Sequence, residues 1–214
     1  TEAYASYIST YVERDIRQIS LVHNLRSFNQ FIRLCASQIG QTINLSRMGN
    51  DIGVNYKTIQ SWLSLLEASF MVFTLNPYFG NLKKRLVKSP KLYFYDTGLA
   101  SYLLGAKTKD HLSVLPNKGS LFENFIVADY LKKTYHRGET PDYYFYRDSA
   151  GHEVNLIKST PAGPDLYEIK MGATYQSDFP KGINYYSNID TTTQGKAIIY
   201  TGEGDTEVNG IKLI

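Results

Sequence analysis

The chain has 214 residues, 43% of them hydrophobic and 20% charged, with 18 Tyr, 10 Phe and 1 Trp. That composition supplies a core for one large or two small domains and excludes a disordered chain. No apolar run nears the roughly 18 residues of a membrane span. The lone Cys35 excludes an internal disulfide or a cysteine-based zinc site, so a cytoplasmic, reducing location without membrane attachment is expected. Residues 1–88 hold 10 Lys and Arg against 5 Asp and Glu, while residues 89–214 hold 13 against 15. A basic half joined to a slightly acidic half suggests two modules with different partners.

Hydrophobic spacing of three and four predicts a helix from Thr1 to about Ser20 and another from Leu25 to Ile39, stopped by Gly40. A short helix from Leu45 to Ile52, a turn at Gly53-Val54-Asn55 and a helix from Tyr56 to about Ser69 follow. Val72 to Leu75 reads as a strand broken by Asn76-Pro77, and residues 86–88 and 92–95 as a hairpin around Ser89-Pro90. A short apolar helix from Leu99 to Leu104 is expected to be capped by Asp96 or Thr97. The polar stretch Gly105–Lys118 then reads as a linker. Beyond it the pattern predicts a helix at Leu121–Lys133 and strands at 143–147, 153–158 and 166–170. A helix at 179–189 and strands at 197–200 and 211–214 complete it.

The segment Leu45–Leu66 fits two short helices across a tight turn. Met48, Ile52, Val54, Ile59 and Trp62 face inward, Gly49 allows close approach and Gly53 suits a positive φ. Lys57, Thr58 and Gln60 then lie on the exposed start of the second helix, where residues of these types contact phosphates and base edges in DNA. Lys83, Lys84 and Arg85 would form a basic wing against the phosphate backbone. The same winged helix-turn-helix spacing also serves protein docking, and a basic hairpin can simply be solvated.

The second half orders acids and one lysine in a particular way. Glu123 lies on a helix, Glu153 and Asn155 share one face of a strand, and Glu168 and Lys170 share one face of the next. If those strands pair, the faces converge. Oxygen ligands that hold Mg²⁺ beside a lysine that orients water are what phosphodiester cleavage needs. A solvated acidic sheet edge is the alternative reading.

Tyr11–Asp15, Val87–Ala100, Gly119–Asn124 and Arg147–Val154 resemble the C-terminal part of a large prokaryotic family of AAA-type ATP-binding proteins, a region catalogued as a domain of unknown function. The resemblance spans nearly the whole chain, and Ser89–Ala100 is its most specific stretch. It implies an α+β fold: a helical winged-helix module followed by a restriction-endonuclease-like α/β domain with a mixed central sheet. Residues 1–24 would lead in from an ATPase domain, 25–105 form the winged helix-turn-helix, and 106–214 the PD-(D/E)XK nuclease-like domain. No G-x-x-x-x-G-K-[ST] run occurs, so this stretch is not expected to bind ATP. By the same resemblance Glu123, Glu168 and Lys170 would be catalytic, with Glu168, Glu153 and Asn155 around the metal. The family's usual Glu-Val-Asp reads Glu153-Val154-Asn155 here, so any Mg²⁺ would be held weakly and the site is expected to be weakened or inactive. DNA, the protein's own ATPase domain and other copies of the chain are the expected partners. A docking module that regulates the ATPase without DNA chemistry is the alternative.

Two smaller signals complete the reading. His152 is expected at the surface or hydrogen-bonded, with phosphate contact as the alternative, and Cys35 is expected to be a buried small hydrophobe.

Overall fold

The computed structural model describes residues 2–10, 24–79, 87–203 and 205–214. The chain divides into two compact units, Thr1–Thr74 with Lys91–Leu121, and Leu75–Pro90 with Phe122–Ile214. The fold is α+β, a helical N-terminal portion followed by a sheet domain.

In the first unit, α1 (Glu2–Thr10) is followed by α2 (Leu25–Ser37), α3 (Leu45–Ile52) and α4 (Tyr56–Ala68). The helix expected to Ser20 is seen as far as Thr10, and residues 11–23 lie outside the described ones. Asn24, Asn44 and Asn55 cap the next three helices, each accepting from a backbone N–H three residues on. The apolar faces of α2 and α4 meet around Trp62, whose ring lies edge-on to Phe28 at 5.3 Å and tilted to Phe31 at 5.7 Å. Met48 and Ile59 are buried beside it as their spacing predicts, and Ile52 and Val54 are partly buried. Gly53 sits at φ 80°, and a Cβ on Gly49 would stand 2.6 Å from the Val54 carbonyl oxygen, so both glycines are needed for the turn.

Strands β1 (Val72–Leu75) and β2 (Lys91–Phe94) pair with each other. This corrects the expected hairpin of residues 86–88 with 92–95 at residues 87 and 88, residue 86 lying outside the described ones. The Val87 N–H donates to the Arg147 carbonyl at 3.1 Å, a contact inside the second unit. Lys83, Lys84 and Arg85, the expected basic wing, lie outside the described residues. Asp96 caps α5 (Thr97–Leu103) as expected. The polar stretch taken as a linker instead contains α6 (Lys109–Val114), a helix with no buried residue and therefore no hydrophobic periodicity to betray it.

The second unit takes its helices and sheet from α7 (Lys118–His136), β3 (Tyr143–Arg147), β4 (Glu153–Lys158), β5 (Asp165–Lys170), α8 (Lys181–Ile189), β6 (Lys196–Tyr200), β7 (Thr206–Val208) and β8 (Ile211–Leu213). The sheet runs β3-β4-β5-β6-β8-β7. Its first three strands are antiparallel neighbours, and β6 lies parallel to β5, which requires the crossover that α8 supplies. The sheet is mixed, as expected; β7, mostly exposed, escaped the sequence reading. Tyr167 touches Tyr130 of α7, while its neighbour Leu166 packs with Ile183 and Tyr186 of α8. Adjacent strand residues point to opposite faces, so the two helices cover the two sides of the sheet.

Candidate functional site

Pairing of β4 with β5, in the register Leu156–Tyr167, sets Asn155 beside the Glu168-x-Lys170 run. Leu166, Glu168 and Lys170 share the face that α8 covers, so Glu168 is driven inward by the same alternation that buries Leu166. Glu168 is only 5% exposed. One of its oxygens, Oε1, meets Lys170 Nζ at 2.8 Å, and the other, Oε2, is buried with no hydrogen-bond partner. A side chain on Gly182, in the first turn of α8, would overlap the Glu153 carbonyl oxygen and press on Oε2. Helix and carboxylate come this close because residue 182 is glycine.

Burial pushes the Glu168 carboxyl up to about 7; the Lys170 ammonium opposes the rise, and the charges of Glu153 and Glu123 add to it. Lys170, Glu153 and Glu123, singled out from sequence with Glu168 and Asn155, are therefore within electrostatic reach of Glu168. They do not converge on one point. Glu153 pairs with Arg147 at 3.3 Å. Asn155 is buried, and its Oδ1 accepts from the Ile169 N–H at 2.9 Å, which ties β4 to β5.

A hard cation such as Mg²⁺ asks for several anionic oxygens around one centre. Among the described residues no three His, Cys, Asp or Glu side chains gather to hold a metal ion. The middle position carries a neutral amide already engaged by a backbone donor, and the buried carboxylate faces an ammonium. This donor set fits a tight Mg²⁺ site poorly.

In the first unit α4 presents a shallow open face lined by Lys57, Gln60, Ser61, Ser64 and Leu65, one helical stripe. Lys57 and Gln60 are exposed there. Thr58 is turned differently: its hydroxyl and its N–H both bond to Asn55 Oδ1, so it serves the cap.

Two buried charged residues were not singled out from sequence. Asp148, 5% exposed, accepts from the Ala150 and His152 N–H groups and from the Tyr185 hydroxyl, and pairs with His152 Nδ1 at 3.0 Å. Burial alone would raise its pKa, but the bonds from Tyr185 and His152 outweigh it and hold the carboxyl below its ordinary value. His152 stacks on Tyr185 with ring centres 3.6 Å apart, so it is the hydrogen-bonded histidine of the two readings. The Asp-x-x-Gly spacing of the 148–151 turn is the signal that marks Asp148 as a turn anchor. Lys91, 1% exposed in β2, carries no such signal, because its neighbours Leu92, Tyr93 and Phe94 are all apolar or aromatic.

These features define a two-unit protein with a helix-turn-helix in its helical part and, under the sheet's covering helix, a buried carboxylate paired with a partly exposed lysine. The chain belongs to the family described as a domain of unknown function (DUF8612), whose model matches residues 1–110, and residues 118–214 match a second domain of unknown function (DUF4143). It is similar to the uncharacterized proteins Rv2008c of Mycobacterium tuberculosis and Mb2031c of Mycobacterium bovis. Each is 27% identical over 197 residues, covering 92% of this chain and 43% of the relative. The chain thus spans less than half the length of these curated relatives. No described helix is long and apolar enough to cross a membrane.

Proposed function

We propose that this chain is the nucleic-acid-binding, nuclease-like C-terminal portion of a prokaryotic AAA-type ATP-binding protein, acting in the cytoplasm, with a phosphodiesterase site that no longer cuts. The ATPase domain would belong to the rest of the full-length protein, to which relatives more than twice as long give room. The reading rests chiefly on α4. Its inner side is anchored by Ile59, Trp62 and Leu66, and its start offers Lys57 and Gln60 outward on a rigid, Asn-capped helix. Donors so placed can reach phosphates and base edges from a major groove. In the second unit, Asn155 at the position of an expected aspartate leaves Lys170 as the counter-charge of Glu168, so the framework persists without its metal.

The test follows duplex DNA by fluorescence anisotropy at roughly 50 and 200 mM salt, with plasmid cleavage in Mg²⁺ and Mn²⁺ run in parallel. Wild type is expected to bind with affinity falling steeply with salt, to weaken on Lys57→Ala, and to leave plasmid intact. Asn155→Asp restores a charged ligand and is expected to introduce metal-dependent cutting that Lys170→Ala removes. Salt-independent or absent binding ends the DNA reading, and the docking module then stands. Cutting by wild type that Lys170→Ala abolishes ends the claim that the site is silent.

A further inference from the structure

A cavity of about 340 Å³ opens on the first unit, far in character from the polar face of α4. Tyr4 and Tyr7 of α1, Phe70, Met71 and Leu99 line it, and Asp96 is the charged group at its wall. Phe70 is the unusual member. It occupies the position just past the α4 cap Ser69, where the Phe70 N–H donates to the Glu67 carbonyl and the Met71 N–H to the Leu66 carbonyl. That bonding closes a helix end of the type that favours glycine, because the residue there must take a positive φ. Phe70 takes it, at φ 55°, and the residue is 70% exposed, its ring resting edge-on to Tyr95 at 5.8 Å. Neither backbone preference nor core burial accounts for a phenylalanine here.

The carboxylate beside it is also only partly used. Asp96 Oδ1 accepts from Gly98 N and Leu99 N, and the single proton of the Tyr4 hydroxyl is shared between Oδ1 at 3.1 Å and Oδ2 at 3.2 Å. A carboxylate has about four acceptor sites, two on each oxygen, so Oδ2 retains capacity for a further donor. An acid walled by aromatic rings attracts a cation by charge and by the rings' electron-rich faces. The planar guanidinium, which stacks on such rings while donating in its plane, matches the combination better than a compact ammonium.

We propose that this cavity receives an arginine side chain of a polypeptide partner. A free small molecule is the weaker occupant, because two of the walls, Phe70 and Tyr7, are themselves exposed, at 70% and 45%. A ligand confined to the cavity would bury too little of its surface, whereas a chain running past can add contacts outside it.

The experiment titrates the 214-residue chain with the peptide Ac-Ala-Gly-Arg-Gly-Ala-NH₂, its citrulline counterpart, and free arginine, reading backbone amide shifts of Met71, Gly98 and Leu99 by NMR. The arginine peptide is expected to shift all three saturably, and the citrulline peptide, which keeps the shape and loses the charge, is not. Asp96→Asn keeps a competent helix cap and removes the charge, and is expected to weaken binding about tenfold. Phe70→Gly relaxes the backbone, so it is expected to melt at or above the wild-type temperature while losing the peptide. Equal shifts from arginine and citrulline, none from either, or undiminished binding in either variant overturns the proposal. So does a Phe70→Gly protein that melts lower, since Phe70 would then be a packing residue. Free arginine binding as tightly as the peptide moves the site to a small-molecule ligand and ends the polypeptide assignment.

Discussion

At Glu168 a carboxyl that is 5% exposed faces one ammonium and feels two further acids, and burial outweighs the ammonium so that it holds its proton to about pH 7. Its ordinary value is 4.5, so the folded state binds this proton more tightly than the unfolded chain does. The stabilisation is complete below about pH 4.5, is lost as pH rises towards 7, and is absent above that. The loss is on the order of 3 kcal/mol, from roughly 1.4 kcal/mol per pKa unit. Glu168→Gln removes the titration, and Lys170, partly exposed, can rely on water instead. Urea denaturation at pH 5 and pH 8 should show the wild type losing more stability with rising pH than the variant. Parallel pH dependences for the two proteins would mean that the carboxyl does not titrate in this range. The Glu-x-Lys run was legible because strand alternation puts both side chains on one face. Its pKa was not, because burial comes from α8, some ten residues further along the chain.

Strand β5 and helix α8 meet at Gly182, and the site depends on that contact more than on any one ligand. Overpacking a tight interface costs about 1–3 kcal/mol, and here the obstructing atom is a backbone carbonyl, which cannot rotate aside. Gly182→Ala is expected to destabilise by at least that range in a urea titration. Gly119→Ala, in open space on α7, is the control, expected to leave stability unchanged or slightly raised. Equal effects of the two substitutions would show that α8 can shift without loss. The elements themselves were largely readable. β3 and β4 coincide with their expected ranges, since an aromatic run in β3 and Val154, Leu156 and Ile157 in β4, each between turn signals, leave few other choices. Helix α6 was not readable, because a helix that buries nothing carries no apolar stripe.

Between the two units the chain is not simply divided in sequence. Residues 75–90 group with the second unit, where Tyr78 N–H donates to the Phe145 carbonyl at 2.7 Å and Phe145 N–H to the Asn76 carbonyl at 3.1 Å. The Tyr78 ring also lies 5.4 Å from Tyr144. These contacts cover β3, the edge strand of the sheet, whose unpaired backbone groups would otherwise be open to pairing with another chain. A fragment of residues 106–214, cut where the polar stretch suggests a domain boundary, is therefore expected to self-associate and melt below the same unit in the intact chain. Light scattering and thermal denaturation of the fragment and the whole chain check this. A monomeric fragment of undiminished stability would show that the covering segment is dispensable.

Local patterns suffice for the helices of the turn motif, for all strands of the second unit but β7, for the α+β class and for the acids felt by Glu168. These follow from short-range rules: apolar periodicity, strand alternation, and glycine where φ must be positive. Long-range packing, in contrast, sets the Asn155 amide oxygen on the Ile169 N–H, turns Glu153 to Arg147, and pairs β2 with β1 rather than with its sequence neighbour. Each of those outcomes is a competition among several near-equal partners. Distance in the folded chain settles it, and a sequence pattern carries no measure of that distance.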